Sequence, residues 1–267
     1  MLLDVHGSPA YAYTGGKAFA AEQPTIVFLH GAQNDHSVWS LQSRYFAYHG
    51  WNVLAPDLPG HGRSGGAALA TVEAMADWLL ALLDAAGARA ALLAGHSMGS
   101  LIALEAAFRA PGRVSGLALL GSTWPMKVSD ALLAASKDAL ESAIDMVNIW
   151  SHSTPLGPSC PPGFSETGMS RRLMQRLAQQ NPAQLFHTDF SACNAYANGG
   201  AAAAAAACPA LFVLGSRDLM TPPRSAQALT AAIKHGRIVT VDAGHAMMAE
   251  QPDAVLDALA GFAAAPR

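Results

Sequence analysis

Short apolar runs rich in β-formers alternate along this chain with longer amphipathic segments, and that alternation constrains the fold more than any other feature. Strands of a parallel sheet are covered on both faces, so they read as continuous apolar runs, and each needs a crossover helix before the next. Thr25-Ile-Val-Phe-Leu29 is such a run, and others follow at residues 51–55, 90–94, 114–120, 210–214 and 237–241. Helical spacing occupies 38–49, 71–86, 98–110, 223–235 and 252–264, with Gly87 and Pro111-Gly112 as stop signals. At the N-terminus, residues 2–5 and 10–13 flank Gly7-Ser8-Pro9 and predict a hairpin of edge strands. The expected class is therefore α/β, a mostly parallel sheet flanked by helices.

The alternation lapses after Thr123. Roughly 65 residues then hold helical stretches at 130–150, 166–180 and 182–198, interrupted by a Pro/Gly-rich loop at 153–163, with no buried strand. An inserted helical lid over 124–199 is the economical reading, leaving 1–123 and 200–267 as one core. The seven-alanine run 201–207 is low in complexity and reads as a helix end or linker.

Composition narrows the function classes. The chain has 267 residues, 51% hydrophobic and 13% charged, with a net charge of -3, which suits a compact domain with a large core. Basic residues are scattered, so the electrostatic footprint of a nucleic-acid binder or polybasic membrane anchor is missing. Cys160, Cys193 and Cys208 have no metal-ligand spacing and read as reduced thiols. Residues 1–13 carry Asp4, His6 and Pro9 where a signal peptide needs an apolar run, and no stretch reaches membrane-spanning length, so a cytoplasmic location is the default expectation. No G-x-x-x-x-G-K-[ST] occurs, and no G-x-G-x-x-G opens a helix after a strand. No cofactor or metal is expected, and the expected partner is a small molecule.

Gly95-His-Ser-Met-Gly99 matches the pattern G-x-S-x-G between an apolar strand and an amphipathic helix. So tight a turn would strain the serine backbone and forbid side chains at the flanking glycines, and it would present the Ser97 hydroxyl above the carboxyl edge of the sheet. A serine hydroxyl needs a base within hydrogen-bond reach. His245, in Asp242-Ala-Gly-His245 just past the last strand, is the best placed of the ten histidines. His96 abuts the serine but points elsewhere at such a turn and suits packing or hydrogen bonding. His6, His36, His49, His152, His187 and His235 have no identifiable partner. Asp218, closing Gly215-Ser-Arg-Asp218 after the strand at 210–214, is the favoured acid to orient the imidazole, ahead of Asp242, which suits bracing its own loop, and Asp57.

These segments resemble the α/β-hydrolase family in order: His30-Gly31, Asp57-Leu-Pro-Gly-His-Gly-Arg-Ser64, the pentapeptide, and the pair Asp218 and His245. One departure is Ser100, where many relatives have a second glycine. The resemblance implies the order nucleophile, acid, histidine, a structural role for the Asp57 loop, and an oxyanion hole built from the backbone N–H groups of Ala32 and Met98, with His30 pinning the backbone there. Serine at 97 argues against the dehalogenase and epoxide-hydrolase branches, which carry aspartate there. The lid residues Trp124, Met126, Met146, Trp150, Phe164 and Phe186 are candidates to line an apolar acyl or aromatic pocket, although residues at helical spacing more often pack lid against core. The reaction expected is hydrolysis of a small carboxylic ester through an acyl-enzyme. Carbon–carbon cleavage, lactone or amide hydrolysis, peracid formation and a slow-turnover ligand sensor are the alternatives.

Overall fold

The computed structural model describes residues 1–20, 22–153, 165–181 and 184–265. Cys160, Phe164, nearly all of the loop expected at 153–163 and the start of the helix expected at 182–198 lie outside them. Among the described residues one sheet has the strand order β1-β2-β4-β3-β5-β6-β7-β8. Its strands are β1 (Leu2–Val5), β2 (Ser8–Tyr13), β3 (Thr25–Leu29), β4 (Asn52–Pro56), β5 (Ala91–His96), β6 (Val114–Leu120), β7 (Ala210–Gly215) and β8 (Gly236–Val241). β1, β2 and β4 pair antiparallel, and every pairing from β4 to β8 is parallel.

Every residue of β3, β4, β5 and β7 is buried, as their unbroken apolar runs require of strands covered on both faces. A fully buried Phe28 or Leu92 contributes about 1.5–3 kcal/mol by leaving water. The N-terminal hairpin turns at His6-Gly7, both at positive φ, two residues earlier than Gly7-Ser8-Pro9 suggests. Of the hairpin's two strands only β1 lies at an edge of the sheet, because β2 also pairs with β4.

The helices flanking the sheet are α1 (Ser40–Tyr48), preceded by a 3-10 turn at His36–Trp39, α2 (Val72–Ala85) and α3 (Met98–Arg109). Thr71 caps α2 by accepting from Ala74 N. Between β6 and β7 come α4 (Asp130–Asp138), α5 (Leu140–Ser151), α6 (Glu166–Gln180), α7 (Leu185–Ala195) and α8 (Gly199–Ala205). The single helix expected over 130–150 is two, broken at Ala139, whose φ -146 and ψ 63 are not helical. Of the two readings of the alanine run the helix end holds, since residues 201–205 complete α8, and its small side chains let it seat against α3 with Ala202 and Ala203 buried. α4 to α7 enclose an apolar cluster of their own that includes Ile144, Met174 and Phe186. The chain closes with α9 (Gln227–Ala232), a short α10 (Met247–Glu250) and α11 (Pro252–Ala263). Among the described residues no helix is long and apolar enough to cross a membrane.

Strand register decides what meets at the carboxyl edge. Leu29 pairs with Gly95 and His96 with Leu120, so the ends of β3, β5 and β6 emerge side by side. Gly215 pairs with Val241, so the loops after β7 and β8 also emerge together. Chain order reverses around β3, with β4 on one side and β5 on the other, and an open parallel sheet forms its crevice at such a point.

Candidate active site

Ser97 stands between β5 and α3 at φ 53 and ψ -120, a left-handed backbone that a non-glycine residue holds only under constraint. The constraint is close backbone packing. A Cβ at Gly95 would strike Gly99 O, and one at Gly99 would strike Leu29 O and come within 2.7 Å of His30 O. Ser97 N donates to Leu120 O at 2.9 Å. Ser100, the departure from the family pattern, bonds Ser97 O at 2.6 Å and Ser122 Oγ at 2.8 Å and so steadies the turn. Ser97 is half-buried between buried neighbours and borders a cavity of about 1320 Å³.

His245 borders the same cavity from the loop after β8, and its Nδ1–H donates to Asp218 Oδ2 at 2.8 Å. Asp218 is held in turn by N–H groups of Met220 and Thr221 on Oδ1, both at 2.8 Å, and by Thr221 Oγ1 on Oδ2 at 2.7 Å. Burial pushes this carboxyl up, but the adjacent imidazole and the donated hydrogen bonds outweigh it and hold the group at about 2. An ionised Asp218 can only accept, so the proton it faces sits on His245 Nδ1. Ser97 and His245 share the cavity wall, and no hydrogen bond joins their side chains in this structure. Asp242, the competing acid, is largely exposed and pairs with Arg217 at 3.0 Å, bracing its own loop as expected.

His96 packs its ring against that of His245 and donates Nε2–H to His245 O at 2.9 Å, the hydrogen-bonding role expected of it. Burial, with His245 beside it, holds its ring at about 3, and the ring is neutral at ordinary pH. Gly121 passes so close that a Cβ there would lie 3.0 Å from His245 Cε1. Glu250, a residue sequence reasoning missed, is buried and clasps the histidine loop: it accepts from Gly244 N at 2.9 Å and Ser153 N at 2.7 Å. Ala246 N donates to Ser151 O at 2.8 Å, so the end of α5 is stitched to the same loop.

Across the cavity, Gly31 and Ala32 follow β3. A Cβ at Gly31 would lie 3.2 Å from Ser97 Cβ, so a larger residue there would press on the serine turn. His30 is fully buried, its Nδ1–H donating to Gly31 O at 2.9 Å while its Nε2 accepts from Leu58 N at 3.1 Å. It pins the loop as expected. Burial, with His61 close by, pulls its ring down to about 4. Met98 is the first residue of α3, directly after Ser97, where a helix leaves its N–H groups without intrahelical acceptors.

Four histidines expected to lack partners have them: His49 bonds Tyr45 O, His152 bonds Asn148 O, His187 bonds Ser136 Oγ, and the ring and backbone N–H of His36 both donate to Asp57 Oδ1, while Arg63 N takes Oδ2. Asp57 is accordingly structural. His61, overlooked in the sequence, pairs with buried Asp189 of α7 at 3.0 Å. Burial would lower its pKa, but the Asp189 charge and hydrogen bond raise it. Asp35, His36 and Asp57 bring ligand atoms within 4.8 Å of one another, yet their oxygens are already engaged by Ser37, Arg176, His36 and Arg63.

The apolar candidates are corrected. Trp124 packs over Gly199 and Gly200, Met126 joins the main core, and Met146, Trp150 and Phe186 belong to the cluster within α4 to α7. None of these five borders the cavity: Met146, Trp150 and Phe186 face neighbouring helices, whereas Trp124 and Met126 lie in the segment before α4 and pack on the main core. The cavity's apolar wall includes Val147, Met174, Phe190, Met220 and Met248.

A strained serine at the turn from β5 into α3, and a histidine paired with Asp218 on the loops after β8 and β7, thus come to the carboxyl edge of one parallel sheet flanked by helices. The model of the Alpha/beta hydrolase family matches residues 26–258, and the chain belongs to that family. It is 26% identical over 228 residues to (E)-2-((N-methylformamido)methylene)succinate hydrolase of Acinetobacter baylyi, covering 83% of this chain and 82% of that one. It is 24% identical over 246 residues to 3-oxoadipate enol-lactonase 1 of the same organism, covering 90% and 88%. The crystal structure of the enol-lactonase from Burkholderia xenovorans LB400 superposes with a TM-score of 0.86 at 22% identity, over 99% of this chain and 100% of the other.

Proposed function

We propose that this hydrolase cleaves the carboxylic ester or lactone of a small molecule through an acyl-enzyme, with Ser97 as nucleophile, His245 as base and Asp218 as the acid that orients it. His245 Nε2 takes the Ser97 proton as Oγ attacks the carbonyl carbon, and the charge formed on the carbonyl oxygen is received by the N–H groups of Ala32 and Met98. The tetrahedral adduct collapses as His245 returns the proton to the departing alkoxide. Water then repeats the cycle on the acyl-serine and releases the acid. The helices α4 to α7 act as the lid over this cavity.

The observation that carries the reading is the Asp218–His245 bond, which fixes one tautomer and leaves Nε2 on the wall that Ser97 also borders. The relative named as an enol-lactonase supports ester or lactone chemistry, and the names of both relatives, as hydrolases, support turnover over the sensor alternative. The test is a panel of short esters, lactones and diketones with wild type and Ser97→Ala. We expect multiple turnovers on esters or lactones, and a loss of about a million-fold in the variant. A diketone far outpacing every ester would move the chemistry to carbon–carbon cleavage, and stoichiometric product release would make the protein a sensor.

A further inference from the structure

The loop expected to supply the Ala32 N–H is held from the helical insertion. Gln33, directly after Ala32, is 1% exposed and sits at φ 52, a left-handed conformation that a glutamine keeps only when its surroundings impose it. Its backbone N–H donates to Asp189 Oδ2 on α7 at 2.8 Å, and its Nε2 donates to Met174 O on α6 at 3.0 Å. Asp189 is completely buried, and the same oxygen receives His61 Nε2 from the Gly-rich loop. Two residues on, Asp35 pairs with Arg176 of α6 at 2.6 Å. So residues 33–35 touch the insertion at three polar points, whereas Ala32 itself faces the cavity beside Gly31 and Ser97.

We propose that Asp189 is a positioning residue for the oxyanion loop: its carboxylate fixes the left-handed turn at Gln33 and thereby aims the Ala32 N–H at the carbonyl oxygen, so that turnover depends on the insertion being seated. This rests on the acyl-enzyme reading above. A flip of the Ala32–Gln33 turn would rotate the adjoining peptide planes and withdraw one of two donors, and loss of one such donor costs about a hundredfold or more in turnover. The carboxylate does no chemistry. Its effect passes through the backbone it holds.

The test compares Asp189→Leu, which fills the space without an acceptor, with Asp189→Asn, whose amide oxygen can still receive the Gln33 N–H. Each is assayed on a short aryl ester and on its thionoester, in which a sulfur replaces the carbonyl oxygen. A hole shaped for oxygen stabilises sulfur poorly, so the thionoester has little to lose. For the Leu variant we expect kcat on the ester to fall about a hundredfold with KM within about threefold, and the ester-to-thionoester ratio to fall at least tenfold. The Asn variant should stay within about fivefold of wild type on both counts. Equal losses on the two substrates, or an unchanged Leu variant, overturn the proposal. Amide exchange in the wild-type protein decides the matter if the Leu variant does not fold: a Gln33 N–H as protected as the amides of α7 supports the tie, and free exchange there refutes it. An active Ser97→Ala control would instead overturn the acyl-enzyme reading, whereas an inactive one beside a fully active Asp189→Leu removes only the positioning role.

Discussion

Asp218 and His245 lie on successive strand-end loops 27 residues apart, and the single bond between them, Oδ2 to Nδ1 at 2.8 Å, sets which imidazole nitrogen can act as a base. The other oxygen of Asp218 is fastened by two backbone N–H groups, so the carboxylate cannot rotate away from the ring. Asp218→Asn keeps the shape and can keep those backbone bonds on its amide oxygen, but it turns an NH2 donor toward Nδ1. The expected result is the wrong tautomer and a fall in kcat of about 10²- to 10⁴-fold with the fold intact. Steady-state kinetics beside a melting curve checks it, and full activity in the variant would show that the tautomer is not set by Asp218.

The glycines around Ser97 answer a steric demand, and Gly99→Ala should expose it. The new methyl would meet the carbonyls of Leu29 and His30, backbone at and just past the end of β3 that cannot swing aside as a side chain would. A loss of about 3 kcal/mol, the upper end of overpacking costs, is expected in denaturant titration. A variant as stable as wild type would mean that the turn is looser than it is drawn.

Two buried histidines make stability fall in acid. His96 is held at about 3 and His30 at about 4 in the folded protein, against about 6.5 when unfolded. The unfolded chain therefore binds more protons below pH 6.5, and stability is full above that value and declines as pH drops toward 4. Each group contributes a slope of about 1.4 kcal/mol per pH unit, about 2.7 for the pair. His61, raised by Asp189, has the opposite sign and acts only above pH 6.5, where its contribution is lost as pH climbs. Unfolding free energies measured from pH 7 to 4 should show this slope and His96→Gln about half of it; a flat profile would contradict neutral burial of the two rings.

Glu250 should matter to both stability and turnover. Its two oxygens gather Gly244 N, Ser153 N and Ser153 Oγ, so Glu250→Gln places one amide NH2 against a donor in a buried site. We expect about 1–3 kcal/mol of destabilisation and a kcat loss of about tenfold as the His245 loop relaxes. Denaturation and kinetics of one preparation test this, and a variant neutral in both would leave the clasp without consequence.

Strand ends and their loops were legible because parallel strands are wholly apolar, and a serine, a carboxylate and a histidine directly after such runs must emerge at one edge. The Asp57 loop, the bracing role of Asp242 and the hydrogen-bonding role of His96 follow from the same placement. Contacts made by helices with one another were not legible. Nothing in residues 130–150 marks the break at Ala139, which has neither proline nor glycine nearby, and without it the faces of α4 and α5 cannot be assigned. For that reason Trp150 could be expected in the cavity while Val147 lines it, and on α7 the packing against other helices turns Phe190 rather than Phe186 to the cavity. Asp189, Gln33 and Glu250 lie far from their partners in sequence or in no recognisable motif, so only the folded packing discloses their bonds.

The central claim is that the hydroxyl of residue 97 is an activated nucleophile. Incubation of the folded protein with a fluorophosphonate, followed by peptide mapping, reads this directly. The account predicts one stoichiometric adduct on Ser97, formed at least about a hundredfold more slowly when His245 is replaced by alanine. An unlabelled Ser97, or an adduct on another serine formed just as fast without His245, would contradict it.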